Sequence, residues 1–236
     1  PVAFHGAIPV IMQQGEKKEL CAQYGDAMTL SSHTGNGLFT LLGEKTDALL
    51  KTLGVRFAWG FPNQNSEYGY VNKLHWQGTE RMQAYILKIN SLSTEQILRK
   101  SKVFSKLSQS RIEKKLESLI ILKTKIHSID VNKAGGIDRS NGFYEYRSFT
   151  SNYSIKLNGT KVWIKPVGGL LVGDIEIVSK EQVLRTVEDL KLLAKELGLH
   201  QVVMQASPKS ELNQILKTTY KAIDSWLVGY KLSLIH

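Results

Sequence analysis

The first thirty residues alternate between apolar and polar positions, which is the pattern of strands in a sheet. One strand is predicted over 2–12, and the polar turn over 15–18 then reverses the chain. A second strand follows over 19–24, so the two form a hairpin. A third strand is predicted from Gly25 to Leu30, where a glycine-containing turn ends it.

The pattern then changes from a period of two residues to the period of a helix. Leucine and phenylalanine side chains recur mostly on one face from Leu38 to Leu53, and Gly54 is a typical helix end. We expect a short strand over 55–61, a short helix that starts near Asn65, and a strand from Arg81 to Ile89.

The remaining residues predict further helices and strands. The stretch 91–126 is mainly helical in pattern, and the glycine-containing stretch 128–142 is typical of a loop or linker. Asn158-Gly159 predicts a hairpin turn, and Ser179 with Gln182 has capping-box spacing at a helix start. The other elements expected in this half are strands over 144–155, 161–166, 169–177, 201–206 and 225–232 and helices over 179–197 and 208–220.

The order of elements indicates two related halves. The segment 49–55 resembles the segment 193–199, and a strand and then a proline follow each of them. This constant offset of 144 residues, from 49 to 193, favours duplication of a strand–helix–strand unit. We therefore predict an α/β (α+β) fold with mixed sheets flanked by helices. Its parts would be a first half over 1–90, a basic helical segment and linker over 91–142, and a second half over 143–236.

The turn before the first long helix has the composition of an anion site. Gly35-Asn36-Gly37 allows backbone N–H groups to approach a ligand closely. The helix N-terminus that follows adds unpaired donors and a partial positive charge. Such a turn suits a pyrophosphate, and we interpret it as a site for the pyrophosphate of coenzyme A.

Two stretches resemble a known family. Thr34-Gly-Asn-Gly-Leu-Phe39 resembles the acetyl-CoA motif of the GNAT acetyltransferases, usually Arg/Gln-x-x-Gly-x-Gly/Ala. Gly60-Phe-Pro-Asn-Gln-Asn-Ser66 and Val71-Asn-Lys-Leu-His-Trp76 resemble two further segments of one branch, Gly-Phe-Pro-Asn-x-Asn-Ser and Arg-Lys-Leu-Gly-Trp. The resemblance covers about residues 2–89, and the second half is similar to the degenerate half of tandem members.

The resemblance implies a mixed sheet that opens beside the glycine turn, with acetyl-CoA as the co-substrate. The pantetheine arm would lie in the opening, the pyrophosphate on the turn, and the two asparagines near the thioester. An amine would attack the thioester directly while a base removes its proton. The implied cofactor-binding residues are Met28, Thr29, Leu30, His33, Thr34, Gly35, Asn36, Gly37, Leu38, Phe39, Asn63 and Asn65.

The sequence also departs from the family pattern. Thr34 stands where the motif has Arg or Gln, so the phosphate loses a side-chain donor. Val71 aligns with the tyrosine that many members use as a general acid, which makes the neighbouring Tyr70 the candidate for that role. Asp26, before the turn, is the candidate general base. The family's first strand and two helices have no counterpart before Pro1.

Composition and charge bear on the partners of the chain. The net charge is +10, and +7 of it lies over 98–125, where nine lysines and arginines face Glu113 and Glu117. Such a segment can contact an anionic surface weakly, and it is also typical of a solvated helix face. Aromatic and basic residues do not interleave as in sheets that bind nucleic acid, which argues against that function.

The sequence lacks the patterns of a membrane-spanning helix, a signal peptide and a metal site. No apolar run approaches the roughly 20 residues of a membrane-spanning helix, and no signal-peptide pattern starts the chain. The lone Cys21 fits a reducing compartment, and the six histidines show no metal-ligand spacing. We therefore expect a cytoplasmic protein with no metal site.

The function that these expectations favour is N-acetyl transfer from acetyl-CoA to a small-molecule amine. In that hypothesis the first half is active and the second half is degenerate. One alternative is a tandem GNAT-like aminoacyltransferase that acts on cell-wall precursors, where the basic segment would contact aminoacyl-tRNA or a lipid diphosphate. The other is a GNAT scaffold without catalytic activity.

Overall fold

The chain begins with one long hairpin instead of three strands. The computed structural model describes residues 1–90, 102–122, 126, 128–129, 134–146 and 151–232. Strand β1 (Ala3–Gln14) pairs antiparallel with β2 (Lys17–Thr29). The predicted third strand is therefore wrong, because Gly25 to Thr29 continue β2. The register shifts between Phe4 and Gly6, so this region is a bulge within the hairpin.

The helical pattern after the glycine turn is confirmed. Helix α1 spans Leu38–Thr52 and is followed by strand β3 (Phe57–Gly60), a single π-helical turn (Gly69–Lys73) and strand β4 (Gln77–Lys88). Gly54 ends the helix with a φ of 72°, a left-handed conformation that glycine adopts without strain.

The chain divides into two compact units, each with its own apolar core. The first comprises Pro1–Met82, Asp130–Asp138 and Asp224–His236. Its strands follow the order β5–β1–β2–β3–β10–β4, where β5 is Gly136–Ile137 and β10 is Ile223–Leu232. Its core includes Tyr24, Leu50 and Ala58, with Tyr70, Leu74 and Trp76.

The second unit comprises Gln83–Ile129 and Arg139–Ile223, and its strands follow the order β4–β9–β8–β7–β6. Its elements are α2 (Lys102–Leu116), α3 (Asn141–Tyr146), β6 (Tyr153–Leu157), β7 (Thr160–Pro166), β8 (Leu170–Ile175), α4 (Lys180–Glu196), β9 (Gln201–Ala206) and α5 (Glu211–Leu216). The hairpin turn at Asn158-Gly159 is confirmed, since it joins β6 to β7. The strand predicted from residue 144 is wrong at its start, because Tyr144 lies in α3 and is fully buried.

A strand–helix–strand motif with parallel strands occurs in each unit. Strand β2 pairs parallel with β3 across α1, and β8 pairs parallel with β9 across α4. The helix ends match at the same offset, because Val55 donates to Leu50 O and Leu199 donates to Ala194 O. Gly54 and Gly198 have φ values of 72° and 73°. The division into compact units reflects contacts and not evolutionary origin. Duplication and the three-part division at residues 90 and 142 therefore stay predictions.

Helix α2 carries part of the basic segment. Arg111, Lys114 and Lys115 are exposed, while Ile112 and Leu116 are buried in the core of the second unit. Residues 99, 100, 123 and 125 lie outside the described residues. Among the residues that the structure describes, no helix is both long and apolar enough to cross a membrane.

Candidate functional site

The sheet of the first unit opens between β2 and β3. Their parallel pairing joins Ala22–Tyr24 to Ala58–Gly60 and goes no further. Beyond it, β2 continues to Thr29, whereas β3 ends at Gly60. The cleft between them has a volume of about 420 Å³. Of the residues predicted for the site, those that line the cleft are Asp26, Met28, Thr29, Phe39, Asn63, Asn65 and Tyr70.

Local backbone structure explains why the strands separate here. Asp26 has a φ of 49°, a left-handed conformation that bends β2 at the bulge opposite β1. On the other side, Pro62 lacks the N–H group that would extend the ladder of β3. Asn63 then closes a tight turn, because its side-chain oxygen accepts from the N–H groups of Asn65 and Ser66 at 3.0 and 3.1 Å.

The glycine turn presents open backbone donors. Gly35 and Gly37 have φ values of 84° and 70°, and a Cβ on either would meet no atom within 4 Å. Glycine is therefore required at both positions for backbone conformation and not for space. Within the described part of the chain, no hydrogen bond uses the N–H groups of Gly35, Asn36, Gly37, Leu38, Phe39 and Thr40.

The earlier part of the same turn is already bonded. A 3₁₀ turn over Ser31–His33 joins β2 to the glycines. The His33 N–H donates to Leu30 O at 2.8 Å, and the Thr34 N–H donates to Ser31 O at 3.4 Å. The Thr34 hydroxyl also donates to Ser31 O, at 2.8 Å. The open donors thus begin at Gly35, and the implied cofactor-binding residues His33 and Thr34 use their backbone N–H groups within the turn.

Helices α1 and α4, each of which connects two parallel strands, differ at their N-termini. In α4, the hydroxyl of Ser179 accepts from the Gln182 N–H, and Glu181 lies in the first turn. In α1, Gly37 has no side chain to cap the helix, and the first turn contains no acidic residue. The helix dipole attracts negative charge at the N-terminus. In α4, side chains occupy this position, whereas in α1 the position is open to a bound anion.

Aromatic side chains form the inner wall of the cleft. The ring centroids of Tyr70 lie 4.7 Å from Trp76 and 5.1 Å from Phe39. Tyr70 is 5% exposed, and its hydroxyl lies 3.2 Å from Nε2 of His5. Burial raises the pKa of Tyr70 to about 12, so its phenol stays protonated at neutral pH. Burial also lowers the pKa of His5 below its ordinary value of 6.5.

A second polar group lies beside this wall. The Tyr24 hydroxyl donates to one oxygen of Asp47, and Lys231 Nζ lies 2.7 Å from the other. Burial, followed by the bond to this carboxylate, raises the pKa of Tyr24. The hydroxyl proton of Tyr24 is therefore held by Asp47, and Tyr70 is the tyrosine of this wall whose hydroxyl can exchange a proton with a ligand.

The sequence did not indicate His5, Tyr24, Asp47 or Lys231. They lie on β1, β2, α1 and β10, so only the tertiary fold brings them together. None belongs to a motif with recognisable spacing. The described residues contain no group of three or more His, Cys, Asp or Glu side chains arranged for a metal ion.

A second cleft adjoins the turn that Asn63 closes. It shares Pro62, Asn63 and Asn65 with the first cleft and is also lined by Arg81, Asp224 and Trp226. Trp226 is 48% exposed, and its ring lies 6.3 Å from that of Phe61. Arg81 forms a two-pronged ion pair with Glu67, with N–O distances of 2.7 and 2.9 Å.

Comparison with known proteins supports the fold. Neither models of known families nor curated protein sequences match this chain. A GCN5-related N-acetyltransferase from Kribbella flavida is similar in structure over 98% of this chain, with a TM-score of 0.53 and 12% identity. One from Anabaena variabilis is similar over 97%, with a TM-score of 0.53 and 12% identity. The chain has the GNAT fold.

The same fold extends to enzymes with longer acyl groups. Saccharomyces cerevisiae N-myristoyltransferase with bound myristoyl-CoA is similar over 97% of this chain, with a TM-score of 0.56 and 10% identity. This chain spans 57%, 59% and 66% of the lengths of these three structures, about three-fifths of each. At these identities the likeness concerns the GNAT fold alone.

Proposed function

We propose that the first unit binds acetyl-CoA and transfers its acetyl group to an amine. The observation that carries this proposal is the opened sheet beside six N–H groups that make no hydrogen bond within the described chain. A diphosphate is the ligand that such a turn and helix N-terminus suit best. The GNAT fold supports a coenzyme A thioester as its source.

In this proposal the cofactor follows the opening from one end to the other. The pyrophosphate accepts from the N–H groups from Gly35 onward, and the pantetheine arm lies along Met28, Thr29 and Leu30 in place of a further strand. His33 and Thr34 flank the phosphate without offering their backbone donors. The thioester reaches the wall formed by Tyr70 and the turn with Asn63 and Asn65.

The reaction needs two protons to move. An amine is an ammonium ion at neutral pH, so it must lose one proton before it can attack. Asp26 is exposed in the left-handed bend of the cleft, and we assign it that step because it can pass the proton to solvent. After attack, the nitrogen loses a second proton and the departing sulfur gains one, and Tyr70 serves this transfer.

We assign the amine acceptor to the second cleft. It shares Pro62, Asn63 and Asn65 with the first cleft, so an acceptor bound there lies next to the end of the cleft that we assign to the thioester. The exposed face of Trp226 and the carboxylate of Asp224 suit a cation. Replacing Trp226 by alanine should raise KM for the acceptor severalfold while leaving the Kd for acetyl-CoA unchanged.

The experiment that tests the proposal compares the two glycines that flank helix α1. Gly37 and Gly54 have φ values of 70° and 72°, and a Cβ on either meets nothing within 4 Å. Valine at either position should therefore cost similar stability, about 1–2 kcal/mol. Only Gly37→Val should remove acetyl-CoA binding in calorimetry, since Gly54 lies at the far end of α1.

Three outcomes separate the hypotheses. Binding with release of free thiol in the presence of amines supports the transferase. Binding without turnover across a broad amine panel supports the non-catalytic scaffold. No heat from millimolar acetyl-CoA with the wild-type chain contradicts the cofactor site itself. The aminoacyltransferase stays a prediction, and salt-dependent binding of tRNA to the intact chain tests it.

A further inference from the structure

The hydrogen bonds around His5 have one consistent direction. The Thr46 hydroxyl donates to Leu42 O at 2.8 Å, the preceding turn of the same helix. Its single proton is thereby used, so its oxygen accepts from His5 Nδ1, which lies 3.4 Å away. Neutral His5 then carries its proton on Nδ1, and its bare Nε2 accepts from the Tyr70 hydroxyl at 3.2 Å.

This direction has a chemical consequence. The proton of Tyr70 points to His5, so the phenol oxygen can accept a proton from the cleft only while it passes its own to Nε2. We propose that His5 and Tyr70 together form a proton shuttle, which takes a proton from the attacking nitrogen and returns it to the departing sulfur. This inference rests on the proposed acyl transfer and adds His5 to it as the proton-holding group.

The steps balance in protons and electrons. Attack forms the C–N bond and leaves a positive nitrogen and a negative oxygen on the adduct. The nitrogen gives a proton to the Tyr70 oxygen as Tyr70 gives its own to His5 Nε2. The C–S bond then breaks, with the electron pair going to sulfur. Imidazolium His5 returns its proton to Tyr70, and Tyr70 protonates the thiolate.

The surroundings of His5 suit a temporary charge. Its ring contacts Tyr24 edge-on at 5.0 Å on β2 and Phe39 at 5.6 Å on α1. The charged group that acts on it is Asp47 of α1, whose oxygens are held by Tyr24 and by Lys231 of β10. Burial disfavours the imidazolium and this carboxylate favours it. With a lowered pKa, His5 is neutral and able to accept a proton at neutral pH, and the imidazolium readily returns that proton to Tyr70.

The shuttle can be tested without knowing the acceptor. In ¹⁵N-labelled wild-type protein above the His5 titration, ring correlations should show Nδ1 protonated and Nε2 bare, with the His5 signals identified by their loss in His5→Gln. Tyr70→Phe should raise the pKa of His5, because it removes a donor to the neutral ring. Thr46→Val should shift the ring toward the Nε2–H tautomer. A wild-type Nε2–H tautomer, or a lower His5 pKa in Tyr70→Phe, overturns the inference.

The activity test has its own outcomes. With an amine that the wild-type protein acetylates, His5→Gln should lower kcat at least tenfold and flatten the acidic limb of the pH profile, while the Kd for acetyl-CoA is unchanged. The double variant with Tyr70→Phe should be no slower than the worse single variant, because both act in one path. Additive losses, or an unchanged pH profile, contradict the shuttle. If the wild-type protein acetylates no amine, the proposed function fails instead, and the tautomer result stands by itself.

Discussion

Asp26 combines an unusual backbone conformation with a carboxylate that faces the cleft. Its φ is 49°, and asparagine accepts this left-handed conformation as well as aspartate does. Asp26→Asn should therefore leave stability nearly unchanged while lowering kcat/KM for an ammonium acceptor about 100-fold. Asp26→Ala should show the same kinetic loss together with about 1 kcal/mol of destabilisation. A normal rate in both variants would remove Asp26 from the mechanism.

His5 should also affect the pH dependence of stability. Its pKa is lowered in the folded protein, so below 6.5 the unfolded chain binds more protons than the folded chain. The stability present above pH 6.5 is then lost as the pH falls through the folded pKa. The free energy of unfolding, measured with urea, should therefore fall more steeply with decreasing pH for the wild-type protein than for His5→Gln. Equal slopes would contradict the lowered pKa.

At the scale of residues, the glycines of the turn have a recognisable sequence signal, whereas the side chains that line the cleft behind them do not. Gly35 and Gly37 were recognisable because few residues other than glycine adopt their φ values, and motifs record such requirements. His5 and Asp47 were not recognisable, because their contacts join β1 to the π-helical turn and α1 to β10. A lone histidine in a strand carries no pattern that indicates its partner.

Helix α1 presents an uncapped N-terminus, and its two ends can be tested with one substitution type. Thr40→Glu puts a carboxylate in the first turn, where it should stabilise the helix by about 0.3–1 kcal/mol. The same charge should repel the pyrophosphate and weaken acetyl-CoA binding about fivefold. Thr52→Glu, in the last turn, should lower the melting temperature and leave binding unchanged. Calorimetry and thermal unfolding measure both, and a Thr40→Glu variant with normal affinity would place the cofactor elsewhere.

Elements with strong local signals were the predictable ones. Helix α1 and the start of α4 were found because apolar spacing, Gly54 and the Ser179 cap act within a few residues. The division of β2 into two strands was wrong because Gly25-Asp26 resembles a turn. Its left-handed residue instead forms a bulge, which pairing with β1 maintains.

At the scale of the molecule, sequence order does not indicate the pairing partners of strands β10 and β4. The strand β10 lies near the end of the chain, yet it pairs antiparallel with β3 in the first unit. Strand β4 comes from the first half and pairs antiparallel with β9 in the second unit. Alternation of apolar residues predicts a strand, but its partner depends on packing between segments far apart in sequence.

This pairing predicts that a change near the C-terminus affects the cofactor cleft. Gly229 pairs with Gly60, and a Cβ on Gly229 would lie 3.1 Å from the Trp76 ring, which lines the cleft. Gly229→Val should therefore destabilise the first unit by about 1–3 kcal/mol and weaken acetyl-CoA binding. Hydrogen exchange should show that the amides of β3 and α1 lose protection, whereas those of β9 and α4 keep it.

The second unit offers the matched control. A Cβ on Gly173 would lie 2.5 Å from the Trp163 ring, so Gly173→Val instead crowds that ring in the second unit. It should reverse the exchange pattern, with protection lost in β9 and α4 and retained in β3 and α1. Because each unit has its own apolar core, the two variants should have opposite signatures. Equal loss of protection in both units from either variant would show that the two units unfold as one cooperative body. The assignment of β10 to the first unit would then not predict which elements a change in β10 destabilises.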